Sequence, residues 1–119
     1  MKFLLLEQRT SAAERLLDSL LGLGEARLFY FGPSLSKTVR ETFYEVTFVD
    51  INLCKRNGHD PIDEIRNESP RTKIILTTFL TNLQEVSSVF WHPCDGYLQK
   101  PVKTVEVATL LRRLLPHEL

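Results

Sequence analysis

Glu45-Val46-Thr47-Phe48-Val49-Asp50 is an apolar run that stops on a lone carboxylate. β-branched and aromatic residues over four positions suit a strand, and the absence of polar alternation suits one buried on both faces, as in a parallel sheet. A carboxylate at the end of such a strand stands at the carboxyl edge of the sheet, where open α/β folds gather ligand chemistry. The reading therefore starts from a third strand over Val46 to Val49 with Asp50 at its tip.

Working outward, Lys2 to Leu6 is a second short apolar run, ended by Glu7-Gln8. Ser11-x-x-Glu14 has the form of a capping box, and Leu16, Leu17, Leu20 and Leu21 recur at helical spacing until Gly22 and Gly24. Arg27 to Phe31 reads as the second strand and Gly32-Pro33 as a turn. Ser36 to Tyr44 reads as a helix that turns Val39 and Phe43 to the core. Beyond Asp50, a loop through Gly58 leads to Asp60-Pro61, an N-cap with proline at the first helical position, so a third helix is expected from Pro61 toward Asn67. Ser69-Pro70 breaks it. Lys73 to Thr77 is the fourth strand, Thr81 or Asn82 caps a fourth helix that Pro93 ends, Gly96 to Leu98 is a short fifth strand, and Thr104 opens a last helix carrying Val105 to Leu115. Strands alternating with helices imply a parallel sheet with right-handed crossovers and helices on both faces. The expected fold is a flavodoxin-like (βα)5 three-layer sandwich, strand order 2-1-3-4-5, forming one domain over residues 1–119.

Composition narrows the function classes. With 119 residues and 43% hydrophobic content, one core can be buried without disulfides. Fifteen Lys and Arg balance fifteen Asp and Glu, so no net field holds polyanions, and direct nucleic-acid binding is not expected. Apolar runs fall far short of the ~20 residues that cross a bilayer, and the Met-Lys start lacks a signal pattern, so the chain reads as cytoplasmic. Cys54 and Cys94 read as reduced thiols. A metal group of Cys54, His59, His92 and Cys94 lacks the ligand spacing of zinc sites, and His117 reads as a solvated tail residue. Gln8-Arg9-Thr10-Ser11 has no glycine to cradle a phosphate, which disfavours a flavin carrier or small-molecule enzyme.

Two later features meet Asp50 at the same sheet edge: Thr77, with Thr78 beside it, at the end of strand four, and Lys100-Pro101 after strand five. Aspartate is a poor nucleophile unless cations draw charge off its phosphorus partner. A carboxylate, a hydroxyl and an ammonium together therefore point to phosphoryl transfer onto Asp50. Lys100 supplies one point charge, Mg²⁺ the rest, and Thr77 a hydroxyl donor.

These residues resemble the receiver domain of two-component response regulators along essentially the whole chain. In the family pattern an acidic pair ends strand one, the phosphoacceptor ends strand three, Thr or Ser ends strand four and Lys-Pro follows strand five. Glu7-Gln8, Asp50, Thr77 and Lys100-Pro101 match those stations. The resemblance implies a phosphoryl group received from a histidine kinase or phosphotransfer protein. Glu7, Gln8, Asp50 and the backbone carbonyl of Asn52 would ligate Mg²⁺, and a cis peptide would precede Pro101. Tyr97 would be a switch aromatic that follows Thr77, and the surface of the fourth helix, fifth strand and last helix would change. That surface would meet a protein partner, a fused output domain or a second copy of the chain, with Val89, Phe90 and Trp91 offering an apolar patch. At most the chain would phosphorylate and dephosphorylate itself, without turning over an external substrate. Two departures stand out. Gln8 replaces a ligating carboxylate, so Mg²⁺ should bind weakly; Phe79 places a ring beside the expected path of hydrolytic water. The first departure supports an alternative, a degenerate receiver that acts without phosphorylation as an interaction or dimerisation module.

Overall fold

The computed structural model describes residues 1–7, 10–29, 34–55, 60–79 and 94–116. Five strands form one parallel sheet in the order β2-β1-β3-β4-β5. They are β1 (Lys2–Leu6), β2 (Glu25–Phe29), β3 (Val46–Asp50), β4 (Lys73–Thr78) and β5 (Gly96–Gln99). Four helices are described: α1 (Ser11–Leu21), α2 (Leu35–Glu41), α3 (Pro61–Glu68) and α4 (Thr104–Leu114), with a 3-10 helix over Ile51–Lys55. The architecture is the expected flavodoxin-like three-layer sandwich. The helix expected between Thr81 and Pro93, together with Gln8, Val89, Phe90 and Trp91, lies outside the described residues.

Side chains alternate across a strand, and that period divides the core in two. Leu4, Leu6, Val49, Ile74 and Leu76 pack on one face with Leu35 and Val39 of α2 and Ile62 and Ile65 of α3. Phe3, Leu5, Val46, Phe48, Ile75 and Leu98 pack on the other with Leu16 and Leu20 of α1 and Val107, Leu110 and Leu111 of α4. Phe3 and Phe48 meet edge to face at 6.3 Å within this second layer, the arrangement that aromatic quadrupoles favour.

The helix ends show why the chain turns where it does. Thr10, rather than Ser11, caps α1: its hydroxyl accepts from the Ala13 amide at 3.1 Å, so the cap falls one residue earlier than the Ser-x-x-Glu spacing suggests. Asp60 caps α3 through the Ile62 amide, with Pro61 at the first helical position. A Cβ on Gly24 would lie 2.3 Å from the Met1 carbonyl oxygen, and that oxygen accepts the Glu25 amide that starts β2. Glycine is therefore required for β2 to reach its register with β1, and β2 begins at Glu25, two residues before Arg27. Helix α2 stops at Glu41 because Thr42 is extended. The helical period ends there, so Phe43 points outward and is 45% exposed, while Tyr44 takes the buried place expected for Phe43.

Candidate functional site at the carboxyl edge of the sheet

Glu7, Asp50, Thr77 and Lys100 each lie two residues beyond a core residue of one layer: Leu5, Phe48, Ile75 and Leu98. Period-two alternation therefore sends all four toward the same side as they leave their strands. Parallel pairing sets them level, with Leu6 beside Val49, Asp50 beside Thr77 and Thr77 beside Leu98. All four are almost completely buried. Sheet register thus converts residues scattered over ninety positions of sequence into neighbours.

Lys100 is the hub. Its Nζ donates to Glu7 Oε2 at 3.0 Å and to Asp50 Oδ2 at 3.0 Å. The Thr77 hydroxyl donates to Glu7 Oε1, so it is engaged with the acidic residue of β1's end rather than with Asp50. The other Asp50 oxygen, Oδ1, accepts the Asn52 amide at 2.9 Å as the chain enters its 3-10 turn. The Lys100 amide donates to the Thr78 carbonyl at 2.6 Å, and the Lys100-Pro101 peptide is cis. Phe79, 56% exposed, lays its ring 4.9 Å from the Lys100 ammonium. Tyr97 is half-buried beside the layer that holds α2 and α3.

Two carboxylates against one ammonium leave this buried cluster short of positive charge. Burial raises the Glu7 carboxyl above its ordinary range by penalising its ionised form; Lys100 and the Thr77 hydroxyl oppose that shift, and the Asp50 charge adds to it. Such a cluster favours any additional cation that can reach its oxygens. Cys54 is pushed upward by burial and by the charges of Asp60 and Asp50, so it stays a protonated thiol. It donates weakly to the Asp50 carbonyl at 3.9 Å.

Six sequence-predicted site residues, Glu7, Asp50, Asn52, Thr77, Lys100 and Pro101, come together here. Tyr97 stands one strand position before Leu98, and Gln8 lies outside the described residues. The sequence offered no sign of the Thr77 to Glu7 bond.

The response regulator receiver domain profile matches residues 8–112. The chain belongs to this family. Among sequence relatives it is 31% identical over 72 residues to the transcriptional regulatory protein MctR of Rhizobium johnstonii, and 29% identical over 72 residues to a probable transcriptional regulatory protein, y4xI, of Sinorhizobium fredii. The matched stretch is 60% of this chain in both cases and covers 34% and 32% of those longer proteins. The fold is shared with a putative response regulator from Chloroflexus aurantiacus, at a TM-score of 0.79, 18% identity and 98% coverage of both chains. It is likewise shared with the BeF3-activated DrrB receiver domain, at a TM-score of 0.75 and 20% identity over 98% of this chain and 97% of that one. A two-component signalling receiver is thereby the family role. Among the described residues, no helix is long and apolar enough to cross a membrane.

Proposed function

We propose that this receiver accepts a phosphoryl group on Asp50 from a phosphohistidine of a kinase or phosphotransfer protein. The observation that carries this reading is Lys100 bridging Glu7 and Asp50 at 3.0 Å each inside a buried edge of the sheet. In the transfer an Asp50 oxygen attacks phosphorus, a P–O bond forms, and the P–N bond to the imidazole breaks. The Asn52 amide holds one Asp50 oxygen and Lys100 the other, which orients the carboxylate before the donor arrives. Lys100 then faces the charge that develops on the phosphoryl oxygens.

The donor set suits Mg²⁺. Asp50, Glu7 and the Asn52 carbonyl offer hard oxygens, and the cluster carries more negative than positive side-chain charge. Mg²⁺ is commonly held by one or two carboxylates together with water and substrate phosphate, and Glu7 and Asp50 would supply two such carboxylates. Bound Mg²⁺ would neutralise charge on the transferring phosphoryl group. Gln8 in place of a carboxylate makes that binding weak, by an order-of-magnitude cost of about 1–3 kcal/mol.

Phosphorylation gives the Thr77 hydroxyl a new acceptor. Leaving Glu7 for a phosphoryl oxygen would draw Thr77 toward Asp50 and open space into which Tyr97 turns, changing the face of β5 and α4 for a protein partner, an output domain or a second copy. The test is intact-mass spectrometry after incubation with Mg²⁺ and acetyl phosphate. One phosphoryl adduct is expected on the wild type and none on Asp50→Asn, with faster formation on Gln8→Asp. A wild type that stays unmodified while Gln8→Asp is labelled would establish the phosphorylation-independent interaction module instead. Phe79 over Lys100 walls one side of the site against water, so the adduct should decay several-fold faster in Phe79→Ala; an unchanged decay rate would remove that role.

A further inference from the structure

The amino edge of the sheet, opposite the phosphoryl site, carries a polar cleft of about 450 Å³ lined by Arg66, Pro70, Arg71, Thr72, Lys73 and Asp95. Three cations face one carboxylate, in a chain whose total charge is zero. The single acid is already engaged. Asp95 Oδ2 accepts the Ile74 amide at 2.8 Å and lies 3.8 Å from Arg66 Nη2. The neighbouring Glu68 carboxylate lies 3.5 Å from Arg40, which removes it as a competitor for the cleft. Arg71 and Lys73, by contrast, have no carboxylate partner among the described residues.

The cleft is also built on a rigid base. Thr72 is buried, its hydroxyl donating to the Tyr44 carbonyl at 2.8 Å and meeting the Ser69 hydroxyl at 2.7 Å. The Thr72 amide returns to the Ser69 carbonyl at 3.0 Å, and the Lys73 amide to the Glu45 carbonyl at 2.9 Å. Arg71, between these anchored residues, holds its guanidinium carbon 5.7 Å from the centroid of the exposed Phe43 ring, a cation–π contact. Such a contact restrains the side chain in advance, and the planar guanidinium fork suits an oxyanion.

We propose that this basic cleft binds a phosphate-type oxyanion of two or more negative charges, independently of Asp50. Arg71 and Lys73 supply the uncompensated charge, Arg66 adds a third donor group at the rim, and Phe43 positions Arg71. The cleft is larger than one phosphate ion, so the oxyanion can be free or carried on a larger molecule.

The test is amide NMR of the full chain without Mg²⁺, titrated with inorganic phosphate, pyrophosphate, phenyl phosphate and, at matched ionic strength, sodium chloride. Saturable shifts at Thr72, Lys73 and Asp95, with half-saturation on the order of millimolar, are expected for the phosphates and not for chloride. Arg71→Gln with Lys73→Gln should weaken binding roughly 5-fold or more, and Phe43→Leu should weaken it less while leaving every charge in place. Tighter binding of phenyl phosphate would identify an ester as the source, of pyrophosphate a diphosphate, and equal binding the free ion. Shifts that chloride reproduces, that persist at full strength in the double variant, or that fall on Asp50 and Thr77 instead would overturn the proposal.

Discussion

Glu7 is the residue on which the resting site turns. It is buried, accepts from Thr77 and Lys100, and has its carboxyl raised chiefly by desolvation. A folded-state value above the unfolded one means that the native state binds the proton more tightly. The stability this contributes is complete below the ordinary carboxylate range and is lost as pH rises through the raised folded value. Melting without Mg²⁺ should therefore show the wild type losing stability as pH rises from about 4.5 toward neutral, and Glu7→Gln losing less over the same window. An identical pH profile in both proteins would show that Glu7 is not strained by burial. Sequence made Glu7, Asp50, Thr77 and Lys100 legible because each ends an apolar strand and so has few places to go. It could not reveal which pairs form. Glutamate's reach to Thr77, and the Phe79 ring over Lys100, depend on side-chain rotamers that no spacing encodes.

At the scale of elements, strand parity did most of the work, and it was readable wherever an apolar run had clear ends. Strands β1, β3 and β4 fell within one residue of their expected limits because all three are buried on both faces. Edge strand β2 was harder: its burial alternates and its start is set by Gly24 against Met1, a contact between distant backbones. Helix α2 ends earlier than its apolar spacing predicts, since Phe43 continues the helical spacing from Val39 while Thr42 has already left the helix. Strand β3 also carries a local conflict. Thr47 is fully buried, and its hydroxyl has no hydrogen-bond partner among the described residues. An unmet buried hydroxyl costs free energy that a methyl group would not, so Thr47→Val should raise stability by about 1 kcal/mol, visible as a midpoint shift in urea at unchanged slope. A lower midpoint would mean that the hydroxyl has a partner in solution.

For the whole molecule, the sheet separates two chemistries. Its carboxyl edge collects buried carboxylates around one ammonium, and a cleft at its amino edge gathers Arg66, Arg71 and Lys73 around Asp95. Net neutrality in the sequence conceals that separation, since composition averages over both ends. At the carboxyl edge, Asp50 is the phosphoacceptor we propose. The direct measurement is borohydride trapping after incubation with Mg²⁺ and acetyl phosphate, which reduces an acyl phosphate to an alcohol, followed by peptide mapping. Homoserine at position 50 and at no other acidic residue is the predicted result. Trapping at Glu7 or another carboxylate, or none above a control lacking phosphodonor, would contradict it.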